Sequence, residues 1–315
     1  MEKILTKNNS TVLKGIAAIF IMLGHIGINT AYPILFPFRK AGFLWVGLFF
    51  FMSGYGLMFS YLNKPGYIKN AFLKRIIAIV VPTYLIYLVF QIVIWVILKT
   101  PVGYWTDIIN RFVYYFIQDT NWFIPEVLVF YVLFFILFRL FNSRVANVVL
   151  WIITIGFIIF AFIRRDIFSN PWYGSSLCFP LGITYAMNED KMQKFLQDKA
   201  IRNSLILLLV IFACTAMYFV LGNDSAIGNL LARNTASISF CFVALITISL
   251  VNLDNAVTRF LGEISFEIFL VHLQLLKILF SIEIGKIWIT MLCIILTIVI
   301  SALIHKFLQL IRVTR

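Results

Sequence analysis

The chain has 315 residues, of which 62% are hydrophobic and only 12% are charged, and its mean hydropathy is +0.98. A water-soluble domain could not bury that much apolar surface, so the composition excludes a soluble globular protein and predicts a polytopic membrane protein. The formal net charge of +13 does not indicate nucleic-acid binding, because the basic residues cluster at the ends of apolar segments, beside lipid headgroups. A cytoplasmic anionic ligand, such as a nucleotide-bearing cofactor, fits the same distribution.

Apolar segments of helical length recur along the chain and predict an all-α transmembrane bundle of about ten spans. The sixth is short and carries Pro180 and Gly182, so we expect it to be kinked or only partly inserted. The loops are too short to fold alone, so residues 1–315 are expected to form a single integral-membrane domain. The predicted spans are residues 12–29, 43–61, 76–98, 122–141, 146–163, 172–188, 203–221, 235–251, 260–281 and 287–310.

The distribution of basic residues predicts the orientation of the chain. If the N-terminus is cytoplasmic, the cytoplasmic segments hold twice as many lysines and arginines as the outer loops. This positive-inside bias favours a cytoplasmic location for both termini and an even number of spans. The first apolar stretch lacks an A-x-A-type cleavage site and is followed by further spans, so we expect it to be retained.

The cysteine pattern favours neither a disulfide framework nor a metal site. All four cysteines fall within predicted spans and none has the CxxC spacing of a metal or redox motif. We therefore expect small packing residues and no bound metal ion. They are Cys178, Cys214, Cys241 and Cys293.

The first span contains two ionisable residues, Lys14 and His25, eleven positions apart. Eleven residues make about three helical turns, so both side chains lie on nearly one face, roughly 16 Å apart along the axis. A histidine in the bilayer is a candidate functional residue, and imidazole is suited to proton transfer near neutral pH. Alternatively, His25 is a structural residue that hydrogen-bonds to a neighbouring helix, and Lys14 extends to the lipid headgroups.

Three further segments carry polar residues that could face an interior cavity. In the ninth span, Glu267 and His272 lie within about two turns and predict a polar wall. Glu126 lies in the first turn of the fourth span, where it either complements the helix dipole or orients and deprotonates an incoming group. Lys74 and Arg75 precede the third span, where a basic pair either fixes topology or contacts phosphates.

Two other features bear on packing and on substrate contact. Ser53, Gly54 and Gly56 in the second span are small enough to let a neighbouring helix approach closely. The outer loop 99–121 and its edges are rich in aromatic residues. These form either a belt at the level of the headgroups or a platform for stacking on a sugar ring.

Taken together, these segments resemble the membrane acyltransferase type 3 family, in its compact, stand-alone form. The first span has the family's basic residue, ten-residue spacing and histidine, at Lys14 and His25. Lysine replaces the arginine that the family usually has, which keeps the charge but loses bidentate geometry. Similar stretches follow in the family's order over about residues 10–305. They are residues 47–57, the basic pair and Pro82 at the third span, residues 121–131, and residues 265–272.

The resemblance implies an acyltransferase that takes an acyl group, acetyl by default, from cytoplasmic acyl-CoA. The implied acceptor is a hydroxyl group of a cell-envelope glycan or of its lipid-linked precursor, and the implied location is the bacterial cytoplasmic membrane. His25 would serve as general base or as transient acyl carrier. Candidates to orient His25 are Glu126, Glu267 and His272, and candidates to hold the CoA phosphates are Lys14, Lys74 and Arg75.

Two other classes of function stay open. A transporter or flippase for a lipid-linked sugar would use the same spans and intramembrane ionisable residues without covalent chemistry. A non-catalytic component of a polysaccharide assembly complex would tolerate substitution of Lys14 and His25.

Overall fold

The computed structural model describes residues 3–98, 122–197, 211–212, 225–282 and 284–311. The regular elements in these ranges are all helical, which confirms the predicted all-α class. They are α1 (Lys7–Thr30), α2 (Phe36–Asn63), α3 (Tyr67–Asn70), α4 (Phe72–Leu98), α5 (Phe123–Leu140), α6 (Ser143–Ile163), α7 (Cys178–Met187), α8 (Glu189–Gln197), α9 (Ala226–Leu250), α10 (Ala256–Glu263), α11 (Ser265–Ser281) and α12 (Lys286–Leu310), with 3-10 turns at Pro33–Leu35 and Asn170–Tyr173.

The described residues contain seven helical segments long and apolar enough to cross a membrane, namely α1, α2 with the turn before it, α4, α5, α6, α9 and α12. The bent pair α10 and α11, which meet at 69°, makes an eighth if it counts as one span. A multi-pass membrane protein is therefore confirmed, whereas the predicted count of ten is not.

Two of the predicted spans account for the difference. The predicted sixth span, 172–188, is corrected by the structure, because its α-helix has only 10 residues, about half the length that crosses the hydrocarbon layer. The predicted seventh span, 203–221, lies largely outside the described residues, as do the loop 99–121 and Cys214.

Polar side chains fix where several helices begin. Thr6 precedes α1, and its hydroxyl oxygen accepts a hydrogen bond from the Asn9 N–H at 3.1 Å. Asn142 and Ser225 cap α6 and α9 in the same way. Each cap satisfies an N–H group that the first turn of a helix leaves without a partner. Helix α1 ends where Ala31 adopts a left-handed conformation with a φ of 56°.

The helices form two compact units. The first contains the start of α1, α2 from Phe43 onward, α3, the second half of α5, and α6 to α10. The second contains α1 from Ala18 onward, the first turns of α2, α4, the first half of α5, α11 and α12. Because α1 is unbroken, Lys14 and His25 lie on one continuous helix, as predicted.

In the first unit, α2 and α7 cross at two glycines. A Cβ atom at Gly54 would overlap the carbonyl oxygen of Phe179, and one at Gly182 would overlap the carbonyl oxygen of Phe51. A Cβ atom at Gly56 would meet nothing within 4 Å. The predicted close approach of a neighbouring helix is therefore confirmed at Gly54 and wrong at Gly56.

A similar crossing joins α1 to α10. A Cβ atom at Gly15 would lie 2.6 Å from the backbone nitrogen of Gly262, and one at Gly262 would overlap the carbonyl oxygen of Thr11. The two backbones therefore touch one residue after Lys14, which fixes the position of this part of α1.

Alanine at position 54 should lower the thermal stability of the purified protein in detergent. The added methyl group must push α2 away from α7, and overpacking of this kind costs about 1–3 kcal/mol. Gly56→Ala is the matched control on the same helix. It has open space and gains about 1 kcal/mol of helix propensity, so its melting temperature should be unchanged or higher. Equal melting temperatures for the two variants would contradict the crossing.

Candidate active site

Two histidine side chains meet in the second unit. His25 Nδ1 lies 2.7 Å from His272 Nε2, and the two ring planes are within 16° of parallel. His25 is half-buried near the C-terminal end of α1, and His272 is fully buried in α11. Of the three groups that the sequence offered as partners for His25, the structure thus brings His272 into hydrogen-bond contact.

The second contact of His272 determines which ring nitrogens carry hydrogen. His272 Nδ1 lies 2.8 Å from the carbonyl oxygen of Ile268, and a carbonyl oxygen can only accept a hydrogen bond. His272 Nδ1 must therefore be the protonated nitrogen, so Nε2 of the neutral ring is an acceptor. It follows that His25 donates through Nδ1–H. Neutral His25 is held in the tautomer whose Nε2 carries a lone pair.

Glycines on α1 let the chain that follows it pack beside His25. A Cβ atom at Gly24 would lie 2.9 Å from the carbonyl oxygen of Phe38, and one at Gly27 would lie 2.9 Å from Leu35 Cβ. Side chains at these two positions would push the start of α2 away. The close packing therefore fixes how this part of α1 is rotated, and with it the direction of the His25 side chain.

Apolar rings cover His272. The ring of Phe269 lies edge-on to it, with ring centroids 6.1 Å apart, and the ring of Phe123 packs against Phe269 at 5.1 Å. Both phenylalanines are buried. A hydrogen bond in such an apolar environment is electrostatically stronger than one in water, so the lining reinforces the contact between the two imidazoles.

Helix α12 supports α11 with a row of small polar side chains. Cys293, Thr297 and Ser301 follow one another at four-residue intervals and are all fully buried. Cys293 Sγ lies 3.9 Å from the carbonyl oxygen of His272 and 3.9 Å from Thr297 Oγ1. Small side chains at this spacing let two membrane helices pack closely, so they hold the segment that carries His272.

Glu267 hydrogen-bonds to a histidine that the sequence analysis missed. Its carboxylate is buried in the first turn of α11 and lies 3.0 Å from His305 Nδ1 on α12. His305 Nε2 in turn lies 3.0 Å from Gln309 Nε2. The predicted polar wall of Glu267 and His272 is thus two separate contacts on different partners. The available signal was the histidine and glutamine four residues apart at the end of the last span.

The remaining candidates lie at helix starts or within α1. Glu126 is buried in the first turn of α5, and Lys74 is exposed and Arg75 half-buried in the first turn of α4. Lys14 is half-buried in α1. The roles predicted for these four residues stay predictions.

Metal-ligating clusters and disulfide bonds are both absent from the part of the chain that the structure describes. Within it, no group of three or more His, Cys, Asp or Glu side chains could hold a metal ion. The three described cysteines, Cys178, Cys241 and Cys293, are free and buried.

The helical membrane fold and the hydrogen-bonded imidazole pair define a multi-pass membrane protein with a site suited to acid–base chemistry. The chain matches a family model described as an acyltransferase domain over residues 8–306. It belongs to the membrane acyltransferase type 3 family, which confirms the resemblance found in its sequence. No curated protein and no solved structure matches the chain. The family favours acyl transfer over transport without covalent chemistry.

Glu267 and His305 should be energetically coupled. Alanine at either position leaves the other side chain without its partner in a largely buried place, so each single variant should lose stability. The double variant should lose less than the sum, with a coupling energy of about 0.5–3 kcal/mol. Unfolding of the purified protein in detergent measures all three, and Lys306→Ala, at an exposed position of the same helix, is the control for a substitution outside the pair. Strictly additive losses would mean that the two side chains do not interact.

Proposed function

We propose that the protein transfers a short acyl group, acetyl by default, from cytoplasmic acyl-CoA to a hydroxyl group. The proposed acceptor is a cell-envelope glycan or its lipid-linked precursor, and the proposed location is the bacterial cytoplasmic membrane. Family membership supports acyl transfer as the reaction. Donor and acceptor rest on the resemblance together with the membrane topology.

The hydrogen bond between the rings of His25 and His272 carries the mechanistic part of the proposal. A general base must present a lone pair to the proton that it removes. Because His272 Nε2 accepts from His25 Nδ1–H, that lone pair is on His25 Nε2. His272 has the role that an orienting third group has in other nucleophile-activating sites, where it fixes the tautomer of the base.

In the proposed reaction, the acceptor hydroxyl group gives its proton to His25 Nε2 while its oxygen attacks the thioester carbonyl carbon. Collapse of the tetrahedral intermediate breaks the carbon–sulfur bond, and the imidazolium returns the proton to the leaving thiolate. The proton balance closes within one reaction cycle, so His25 is neutral again at the end. The hydrogen bond to His272 stabilises the imidazolium while it exists.

We place the donor on the cytoplasmic side because that side holds twice as many basic residues when the N-terminus is inside. Lys74 and Arg75 at the start of α4, and Lys14 on α1, are the proposed contacts for the donor's phosphates. An acceptor on the outer side would mean that the reaction also carries the acyl group across the membrane. Glu126, near the predicted outer surface, is the proposed contact for the acceptor.

Membranes that contain the protein should transfer label from acetyl-labelled acetyl-CoA into envelope glycan, and His25→Ala should abolish the transfer. His272→Leu should lower the rate by about 10²–10⁴-fold, since His25 loses the acceptor that orients it. His272→Gln should retain more activity than His272→Leu, because a side-chain carbonyl oxygen can accept the Nδ1–H hydrogen bond.

His305→Gln is the matched control, because it replaces a histidine outside the imidazole pair and should keep the transfer rate. Full activity of His25→Ala would contradict general-base catalysis by His25. Equal rates for the Leu and Gln variants at position 272 would show that His272 does not orient His25 by accepting its hydrogen bond. If the folded wild type transferred no label from acetyl-CoA or from succinyl-CoA, the transporter function would be favoured over acyl transfer.

The proposed orientation predicts which surface cysteines a membrane-impermeant thiol reagent reaches. Lys69 lies between α2 and α4 and Asp166 lies in the turn after α6, both exposed. In intact cells the reagent should label Asp166→Cys, and it should label Lys69→Cys only after permeabilisation. Asp166 pairs with Arg164 in an exposed ion pair, so its loss should cost little stability. The opposite labelling pattern would place the N-terminus outside.

A further inference from the structure

A polar pocket of about 750 Å³ lies in the first unit, where the start of α1 faces the end of α9. Lys3, Lys7, Asn8 and Asn9 line one wall, and residues 248–252 with Asp254 line the other. The volume falls within the roughly 300–1,000 Å³ typical of small-molecule sites. No residue assigned above to the reaction lines this pocket.

The first wall is held in place by the protein. Lys3 Nζ donates to Glu189 at 2.6 Å, and the same carboxylate accepts from the Tyr55 hydroxyl at 2.7 Å. Ile4 is buried beside Lys3, and its carbonyl oxygen accepts from Asn9 Nδ2 at 2.8 Å. The segment before α1 is therefore anchored, and the wall is formed before any ligand arrives.

The second wall is anchored through Asp254. Its carboxylate accepts a hydrogen bond from Asn8 Nδ2 at 3.1 Å and forms an ion pair with Arg259, whose Nε lies 3.1 Å from Asp254 Oδ1. The Asp254 N–H donates to Asn252 Oδ1 at 3.0 Å. Because Asn8 belongs to the first wall, its hydrogen bond ties the two walls together. Helix α9 ends here at Leu250, and the last carbonyl groups of a helix lack partners within the helix.

The pocket has a donor side and an acceptor side. Lys3 is neutralised by Glu189 and Asp254 by Arg259, whereas Lys7 makes no ion pair or side-chain hydrogen bond with the described residues. The ammonium group of Lys7 and the start of α1 therefore favour an anion on one wall. The carbonyl groups that end α9 favour N–H donors on the other wall.

We propose that this pocket binds the nucleotide end of the acyl donor. The 3′-phosphate of the nucleotide lies against Lys7 and the first turn of α1, and the amino group of the base faces the carbonyls that end α9. The contacts proposed above for Lys14, Lys74 and Arg75 are then to the pyrophosphate. A phosphorylated adenine nucleotide carries both kinds of group, while an anionic lipid headgroup such as phosphatidylglycerol supplies only the phosphate. The inference rests on the proposed function, which makes acyl-CoA the donor and places the N-terminus inside.

The first test measures direct binding of CoA and of adenosine 3′,5′-diphosphate to the full-length protein in phosphatidylcholine nanodiscs. Lys7→Glu should weaken binding of both by about tenfold or more, since it replaces a charge-assisted contact by repulsion. Leu250→Trp should weaken binding without a change in charge, because the exposed Leu250 side chain lines the pocket and indole would fill it. Lys64→Glu, an exposed lysine that does not line the pocket, is the matched control and should bind as the wild type does.

The second test compares two donors. Lys7→Glu should raise the KM for acetyl-CoA by about tenfold or more and leave kcat unchanged. The KM for acetyl-pantetheine, which lacks the nucleotide, should be the same in variant and wild type. An equal loss with both donors would show a structural effect of the substitution and overturn the proposal.

Other outcomes separate this proposal from the proposed function. Nucleotide binding that depends on Lys7 and Leu250, without acyl transfer to any acceptor, would support the proposed binding pocket and refute the proposed reaction. Acyl transfer with nucleotide binding that both variants leave intact would keep the reaction and overturn the pocket. If Lys7→Glu instead reduces only the retention of phosphatidylglycerol in mixed nanodiscs, the pocket takes a lipid headgroup and the proposal is wrong.

Discussion

Hydrocarbon offers no hydrogen-bond partners, so polar side chains within the spans must find partners inside the protein. His25 meets this constraint through His272, and Glu267 meets it through His305. Arg233, which lies in α9, donates to Asn229 and places its guanidinium 4.9 Å from the ring centre of Phe43. When one ring nitrogen of a neutral histidine donates a hydrogen bond to a partner, the other ring nitrogen must carry the lone pair. The chemistry proposed for His25 thus follows from the lack of hydrogen-bond partners in the membrane interior.

These pairs form only where helix backbones come close, and small residues make that possible. Gly24 precedes His25 and lies against the backbone of Phe38, while Cys293 and Thr297 on α12 lie behind His272. Larger side chains at these positions would separate the elements. The hydrogen bond between the two imidazole rings, now 2.7 Å long, is lost when the two nitrogens move about 1 Å further apart. The apolar packing therefore sets the geometry that the polar pair needs.

The sequence predicted features that depend on neighbouring residues, and it did not predict contacts that depend on how helices pack. Hydropathy predicted the membrane class, and spacing within one helix singled out His25. The contact between His25 and His272 joins positions 247 residues apart and depends on the rotation of two helices, which periodicity does not specify. His305 was missed because a histidine near the end of a span looks like a headgroup contact. The sixth span was expected to be short and kinked or only partly inserted, and its helix indeed has only 10 residues, but composition alone does not show where that helix begins.

An imidazole has one advantage over a carboxylate as the group that orients His25. A carboxylate beside the base would bring a permanent charge into the apolar site, and burying a charge costs several kcal/mol even after relaxation. Within the described part of the chain, neither His25 nor His272 hydrogen-bonds to a carboxylate, because Glu267 is bound to His305. The resting pair is then neutral, and charge develops only while His25 holds the acceptor's proton. An interaction that strengthens as charge appears lowers the barrier more than it stabilises the resting state. A neutral orienting group therefore suits a base that works in a membrane.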